Sequence, residues 1–376
     1  MEKAEIKCLN ENNYSLKDYN SNKANRNYGI DLYKALATLN IIILHYNLHS
    51  KLLNLNHSSH NFKKIWCLEI LSYWGVNGFG LISGFVGYKK HKFSNLLYIW
   101  TEVFFYSIII SFILYITNDI SFKEVILSFF PILIKRHWYV NSYISLYLFL
   151  PFINEGLKNI NKKTFRNIII FFILFLSIYQ TISKIFQKEG FVHLNNGYSI
   201  SWLAILYIIG AYFGKYENKK KEVGFSFFLI FILLYFICSF ITICFFFGLI
   251  ELSFLPNNFL INYTSPTILF QAISLLKIFS EIKINNNYIK KVISFFNPLN
   301  FSVILIHGRL FPINNKMTKF LFNTVNNYRG KFTILIIYLI SICLYFICTL
   351  FDYLRLLLFN LLKIRYYCEL IVSKFQ

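Results

Sequence analysis

Long apolar stretches recur along the whole chain, and short polar connections separate them. A helix rises about 1.5 Å per residue, so about 20 such residues are needed to cross the hydrocarbon core of a bilayer. Ten stretches fit this description, and together they predict an all-α, multi-pass membrane protein built as a bundle of about ten transmembrane helices. Their predicted starts lie near Gly29, Leu68, Leu96, His137, Phe165, Tyr198, Gly224, Thr264, Phe296 and Phe332.

The N-terminal segment has a different character from the rest of the chain. Residues 1–25 are polar and rich in Asn and Lys, and they do not show the charged segment, short apolar core and small-residue cleavage site of a signal peptide. We therefore expect the first apolar stretch to stay in the mature protein. The predicted organisation is a polar cytoplasmic tail over residues 1–25 and a membrane-embedded domain over residues 26–376.

Composition and charge support the membrane interpretation. The chain is 56% hydrophobic and 15% charged with a mean hydropathy of +0.50, which excludes an ordinary soluble domain. The net charge of +21 is spread over short connections rather than concentrated on one module, so we expect membrane lipid and no nucleic acid as a partner. Alternate connections, around Lys90, Lys162, Lys220 and Lys290, are the richer in basic residues, and the positive-inside rule assigns them to the cytoplasm. An even number of spans then places both termini there.

The cysteines do not indicate a disulfide framework or a metal site. Seven cysteines are scattered along the chain without a CxxC pair, and most of them lie within or beside apolar stretches. We therefore expect no disulfide framework, no metal site and no bound cofactor.

The first apolar stretch carries a column of polar residues. Lys34 and His45 are eleven residues apart, which returns them to the same face of a helix, and Asp31, Thr38 and His49 fall on that side. Ionisable groups inside a membrane are costly and are usually functional. Histidine suits a general base near neutral pH, and a lysine suits a phosphate-bearing donor. The structural alternative is that His45 is hydrogen-bonded within the bundle and Lys34 reaches the headgroups.

Other apolar stretches contain further candidates. Gly80 and Gly84 predict a close helix contact, while Ser83 between them could line a cavity. Glu102 is a cavity candidate without a partner that the sequence reveals. Asp352 and Arg355, three residues apart, predict a local ion pair. His137, Trp138 and Tyr139 open the fourth stretch, where aromatic residues serve either as interface anchors or as a stacking surface for substrate.

Five runs in this order carry a family resemblance: RNYGIDLYKALATLNIIILH from Arg26, GFGLISGFVGYKKH, HWYVNSYISLYLFLPFIN, WLAILYIIGAYFGKY and FSVILIHGRL. The chain resembles the acyltransferase-3 family of bacterial integral-membrane O-acyltransferases from about Arg26 to the C terminus. The resemblance implies transfer of an acyl group, usually acetyl, from acyl-CoA to a hydroxyl of an extracytoplasmic glycan or lipid-linked saccharide. It also implies a place in the bacterial cytoplasmic membrane.

The resemblance also implies roles for particular residues of this chain. His45 matches the catalytic histidine, and Arg26 and Lys34 match basic residues that we expect to bind the donor. Lysine at position 34 departs from the arginine that the family often has there, which leaves donor affinity and identity in question. His307 stands where the family often shows a second histidine, and with Arg309 it is a further cavity candidate.

Several alternatives stay open at the level of sequence. Direct transfer and an acyl-enzyme intermediate are both compatible with the residues, as are acetyl and larger acyl donors. A glycan exporter or flippase of the same fold would also use a polar column, because ionisable groups line membrane pathways. A purely structural membrane partner fits that column poorly.

Overall fold

The protein folds as a set of helices that correspond to the predicted apolar stretches. The computed structural model describes residues 26–89, 91–133, 138–186, 192–217, 224–250, 256–313, 315–326 and 332–375. These ranges contain helices and turns and no β-strand. The predicted tail over residues 1–25 and the predicted anchor His137 lie outside the described residues. The helices, numbered in chain order, are α1 Tyr28–His49, α2 Phe62–Ser72, α3 Trp74–Gly87, α4 Phe93–Ile116, α5 Phe122–Leu127, α6 Trp138–Asn159, α7 Lys162–Phe172, α8 Tyr179–Ile185, α9 Ile200–Tyr212, α10 Phe225–Phe246, α11 Pro266–Glu281, α12 Asn287–Phe296, α13 Asn300–Ile313, α14 Asn315–Asn326, α15 Thr333–Leu361 and α16 Ile364–Ser373.

Within the described ranges, six helical segments are long and apolar enough to cross a membrane by themselves. They are 62–87, 93–116, 162–183, 225–246, 287–313 and 333–361. The other four predicted spans are helices that are shorter or more polar, namely α1, α6, α9 and α11. The protein is therefore an all-α membrane protein, as predicted. The second span begins at Phe62, six residues before its predicted start.

Contacts between helices give the direction of the spans relative to one another. Lys34 of α1 contacts Asn297 in the turn just before α13, and His45 further along α1 contacts His307 of α13. These two helices, the first and ninth predicted spans, therefore run parallel. In α10 and α11, the seventh and eighth spans, residues late in one helix meet residues early in the other, so they run antiparallel. Both directions are the ones expected if the chain crosses the membrane once at each predicted span.

The relative direction of α3 and α9 is also the one expected for single crossings, and glycines in α3 allow these two helices to approach closely. The indole of Trp202 donates to Asn77 and the hydroxyl of Tyr88 donates to Gly214, so these second and sixth spans run parallel. A Cβ atom at Gly84 would lie 1.8 Å from the carbonyl oxygen of Tyr207, and one at Gly80 would lie 2.8 Å from the Leu206 side chain. The close contact predicted for Gly80 and Gly84 is confirmed, and α9 is the helix that makes it.

Candidate functional site

The N-terminal end of α1 is fixed in place by its cap. The Asn27 side chain accepts hydrogen bonds from the backbone N–H groups of Gly29 and Ile30, which satisfies donors that a helix start leaves unpaired. The same side chain donates to the Ser280 carbonyl at 2.7 Å, which joins α1 to the end of α11. Gly29 permits this approach, because a Cβ atom there would lie 2.0 Å from the carbonyl oxygen of Phe279. The position of the first turn is therefore well defined.

Basic side chains gather at this end of α1. Arg26 pairs with Asp31 through a 2.5 Å contact between Nε and Oδ2, and its guanidinium also lies 5.5 Å from the centre of the Tyr28 ring. Lys290 of α12 approaches the same ring at 5.8 Å. Lys34 Nζ donates to the Asn297 carbonyl at 3.2 Å, so Lys34 is held toward the bundle. Three cations, Arg26, Lys34 and Lys290, thus lie at the same end of α1 as the Asp31 carboxylate.

The other end of the polar column contains a pair of histidines. Nδ1 of His45 lies 3.0 Å from Nε2 of His307, which is a hydrogen-bond distance, and the ring centres are 5.0 Å apart. His307 is buried with 1% of its surface exposed, whereas His45 is half-buried. The ring of His49, one turn further along α1, lies 5.8 Å from that of His45. The two candidate histidines therefore form one unit, although they are far apart in sequence.

The hydrogen bonds of His307 define the tautomers of the pair. Nδ1 of His307 lies 2.5 Å from the carbonyl oxygen of Val303, and a carbonyl can only accept, so Nδ1 carries a proton. With both rings neutral, Nε2 of His307 is then an acceptor and Nδ1 of His45 donates to it. The lone pair of His45 therefore lies on Nε2, the nitrogen that can take a proton from a substrate. Among the described residues no three His, Cys, Asp or Glu side chains converge as metal ligands.

Glu102 belongs to a buried ionic cluster that the sequence did not reveal. Arg355 of α15 pairs with Glu102 of α4 at 3.0 Å and with Asp352 at 2.8 Å, which confirms the local Asp352–Arg355 pair. Ser302 of α13 donates to Glu102, and Tyr106 donates to Asp352 at 2.7 Å. Because Ser302 and His307 lie on the same helix, this cluster fixes the helix that presents His307 to His45.

The remaining candidates lie on several helices. The Ser83 hydroxyl donates to the Phe79 carbonyl at 2.9 Å and lies within reach of Tyr143 on α6, so its described contacts are in the α3–α6 region. Arg309 is half-buried two residues beyond His307, which turns it toward a different face of α13. Trp138 packs against Tyr198 with ring centres 4.5 Å apart.

Two groups that shape the site were not predicted from the sequence. They are the backbone carbonyls of Asn297 and Val303, which accept from Lys34 and His307. Val303 lies one helical turn before His307, so a bond from a histidine to the carbonyl four residues earlier could have been anticipated. The Asn297 carbonyl lies in the tight 297–299 turn between α12 and α13, and the Asn297–Pro298 dipeptide is a sequence signal that could have indicated this turn.

Fold and site together define a multi-pass helical membrane protein whose first helix has basic residues at one end and a pair of histidines, one of them buried, at the other. The model of the acyltransferase-3 family, described as an acyltransferase domain, matches residues 27–351. The chain belongs to this family and is a membrane acyltransferase. A search of curated proteins and a search of solved structures each found no match.

Proposed function

We propose that this acyltransferase moves an acetyl group from cytoplasmic acetyl-CoA to a hydroxyl of an extracytoplasmic glycan or lipid-linked saccharide. The observation that carries the proposal is the polar face of α1. Lys34 and His45 share that face, about 16 Å apart along the axis. Lys34 donates to the Asn297 carbonyl just before α13, and His45 contacts His307 of α13. Lys34, which suits a donor phosphate, and His45, which suits an acceptor hydroxyl, thus lie at different depths in the membrane on the same helix.

Charge supports the proposed orientation. The end of α1 that contains Arg26 and Lys34 lies beside α12, which carries Lys290 and Lys291 and is preceded by Lys283. The positive-inside rule assigns such a region to the cytoplasm, where acyl-CoA is made available. The proposed location is therefore the bacterial cytoplasmic membrane with both termini inside. His45 then lies toward the extracytoplasmic side, where a glycan acceptor arrives.

The histidine pair supports general-base chemistry in this scheme. Nε2 of His45 takes the proton of the acceptor hydroxyl while the hydroxyl oxygen attacks the thioester carbonyl. The carbon–sulfur bond breaks, and the departing thiolate recovers the proton from His45 to give free CoA and the acyl ester. His307 holds His45 in the tautomer that this step needs, since it accepts from Nδ1. Lys34 and Arg26 bind the donor phosphates, with lysine acting as a point charge.

The site favours this chemistry over glycan export by the same fold. An export pathway requires polar groups that face a continuous passage, whereas His307 is buried and bonded to both Val303 and His45. A buried residue that sets the tautomer of a half-buried histidine is the arrangement of a base and its orienting partner. Export alone gives no role to that arrangement.

Thioester chemistry in purified protein tests the proposal. The full chain is reconstituted in liposomes with acetyl-CoA radiolabelled on the acetyl group, and a glycan extract from the native host is supplied as acceptor. We expect base-labile label on the glycan and release of free CoA with the wild type, and loss of both with His45→Ala. His60→Ala is the matched control, because His60 is exposed and its described bond is to Lys64. Glycan passage into the liposomes without label transfer would contradict the proposal and favour export.

A further inference from the structure

A pocket of about 370 Å³ opens at the end of the molecule where α1 finishes. It lies between the turn Leu52–Asn54, the start of α2 and the end of α10. Its volume falls within the range of about 300–1,000 Å³ that is usual for small-molecule sites. The side chains that line it are Leu53, Asn54, Leu55, His57, Phe62, Trp66, Phe246, Asn257 and Asn258.

Aromatic rings form the base of this pocket. The rings of Trp66 on α2 and Phe246 on α10 have centres 4.2 Å apart, and Phe62 lies 6.3 Å from Phe246. The ring of His57 lies 4.3 Å from that of Phe62. These contacts join the second and seventh spans, so the aromatic surface is built on helices rather than on a loop. Rings held in this way offer flat apolar faces to a ligand.

The rim of the pocket is polar, and the described residues that line it include no carboxylate, lysine or arginine. Asn54, His57, Asn257 and Asn258 are all exposed there. An amide side chain both donates and accepts, as a sugar hydroxyl requires. In addition, Nε1 of Trp66 is a buried donor that has no hydrogen-bond partner within the described ranges. A pocket with apolar faces at its base and amides at its rim matches a neutral saccharide, which has an apolar C–H face and a rim of hydroxyls.

The pocket also lies at the end of α1 that contains the histidine pair. Leu52 packs in one buried cluster with Ile43 and Tyr46 of α1, on either side of His45 in sequence. The basic residues Arg26 and Lys34 are at the opposite end of the same helix. A ligand in this pocket is therefore on the side of His45 that faces away from the proposed donor phosphates.

We propose that this pocket is a subsite for the acceptor, where a neutral sugar unit stacks on Trp66 and Phe246 and is bonded by the asparagines of the rim. This inference rests on the proposed function, and it adds the class of ligand and the residues that bind it. The bound unit is held beside the reacting sugar rather than at His45 itself. Variants of the pocket therefore weaken acceptor binding without changing the chemistry of the thioester.

Saccharide binding to the full chain in lipid nanodiscs tests the subsite. Saturation-transfer NMR titrations use maltotetraose, cellotetraose and chitotetraose as neutral probes and tetragalacturonate as a charged probe of similar size. We expect at least one neutral probe to bind the wild type, at least tenfold tighter than tetragalacturonate. Trp66→Ala should weaken that binding at least tenfold. Trp100→Ala is the matched control, since Trp100 stacks on Phe104 of its own helix and does not line the pocket.

A second variant protects the test against misfolding. Asn258 is exposed at the rim, so Asn258→Ala should leave the fold intact and weaken binding of the same probe several-fold. The proposal is overturned if no neutral probe binds the wild type, if tetragalacturonate binds as tightly, or if Trp66→Ala and Trp100→Ala behave alike. Failure of acyl transfer itself is recognised separately, because it is measured as release of CoA by the wild type and His45→Ala with no pocket variant involved.

Discussion

His307 lies with Nε2 3.0 Å from Nδ1 of His45, and this contact joins the first and ninth spans at the depth where the reaction is proposed to occur. The Val303 carbonyl can only accept, so His307 carries its proton on Nδ1. In the contact between the two rings, Nδ1 of His45 is therefore the donor and Nε2 of His307 the acceptor. In the proposed mechanism His307 is therefore a positioning residue, and His45 is the group that would meet substrate. The predictions below follow from that division and from the packing that maintains it.

Replacement of His307 should lower turnover by removing the acceptor for His45 Nδ1. We expect His307→Leu to reduce kcat about 100-fold, in the range by which a general base contributes to rate. The KM for acetyl-CoA should change little, because His307 is remote from the basic end of α1. His307→Gln should recover part of kcat, since its side-chain oxygen can accept from Nδ1. Equal kcat values for the Leu and Gln variants would contradict the positioning role.

Removal of the charge at position 34 should weaken donor binding. We expect Lys34→Met to raise the KM for acetyl-CoA about tenfold with a smaller effect on kcat, and Lys34→Arg to retain most of the affinity. Lys158→Met is the matched control, since Lys158 is exposed and pairs with Glu155 at 2.5 Å. Initial rates over a range of donor concentrations measure both constants. An unchanged KM in Lys34→Met would exclude Lys34 from the donor site.

Loss of Arg355 should destabilise the fold far more than loss of an exposed arginine. Arg355→Met leaves the buried carboxylates of Glu102 and Asp352 without their cation, which costs about 3–5 kcal/mol. Arg365→Met, which removes an exposed pair with Glu369, should cost about 0–1 kcal/mol. Thermal unfolding of the two variants in detergent measures the difference. Similar melting temperatures would show that the buried cluster does not hold α4, α13 and α15 together.

Two glycine-to-alanine substitutions should distinguish a glycine that close helix packing requires from a glycine that only lowers helix propensity. Gly84→Ala places a methyl group 1.8 Å from the Tyr207 carbonyl, so α3 and α9 must move apart and the yield of folded protein should fall sharply. Gly156→Ala has no atom within 4 Å of its new methyl group and should be neutral or stabilise α6 by about 0.5–1 kcal/mol. Monodispersity on size-exclusion chromatography reports the outcome. Comparable profiles for the two variants would contradict the α3–α9 contact.

The positions of the helices could be predicted because apolar length is a local property of the sequence. Two predicted starts were late, because lysines interrupt the apolar pattern near the beginning of the segment: Lys63 and Lys64 in the second span, and Lys290 and Lys291 in the ninth. In the second span Glu69 is a further polar interruption. Tertiary contacts compensate for that polarity. Glu69 is buried and accepts a hydrogen bond from Asn47 of α1 at 2.9 Å, a partner that the local pattern does not reveal.

For the candidate site, the sequence could predict which residues lie close together only when they belong to the same helix. The shared face of Lys34 and His45 and the Asp352–Arg355 pair both follow from the helical repeat. His307 was named from a resemblance, and its contact with His45 spans 262 positions, so periodicity could not predict it. The Glu102–Arg355 pair and the Trp66–Phe246 surface are likewise set by which helices pack together.

The proposed acyl transfer to a surface glycan depends on His45. We would therefore measure base-labile acyl ester on the surface glycan of cells that express the wild type, His45→Ala or His60→Ala at equal membrane levels. We expect ester in the wild type and in His60→Ala, and none above background in His45→Ala. Ester at the wild-type level in cells with His45→Ala would contradict this expectation.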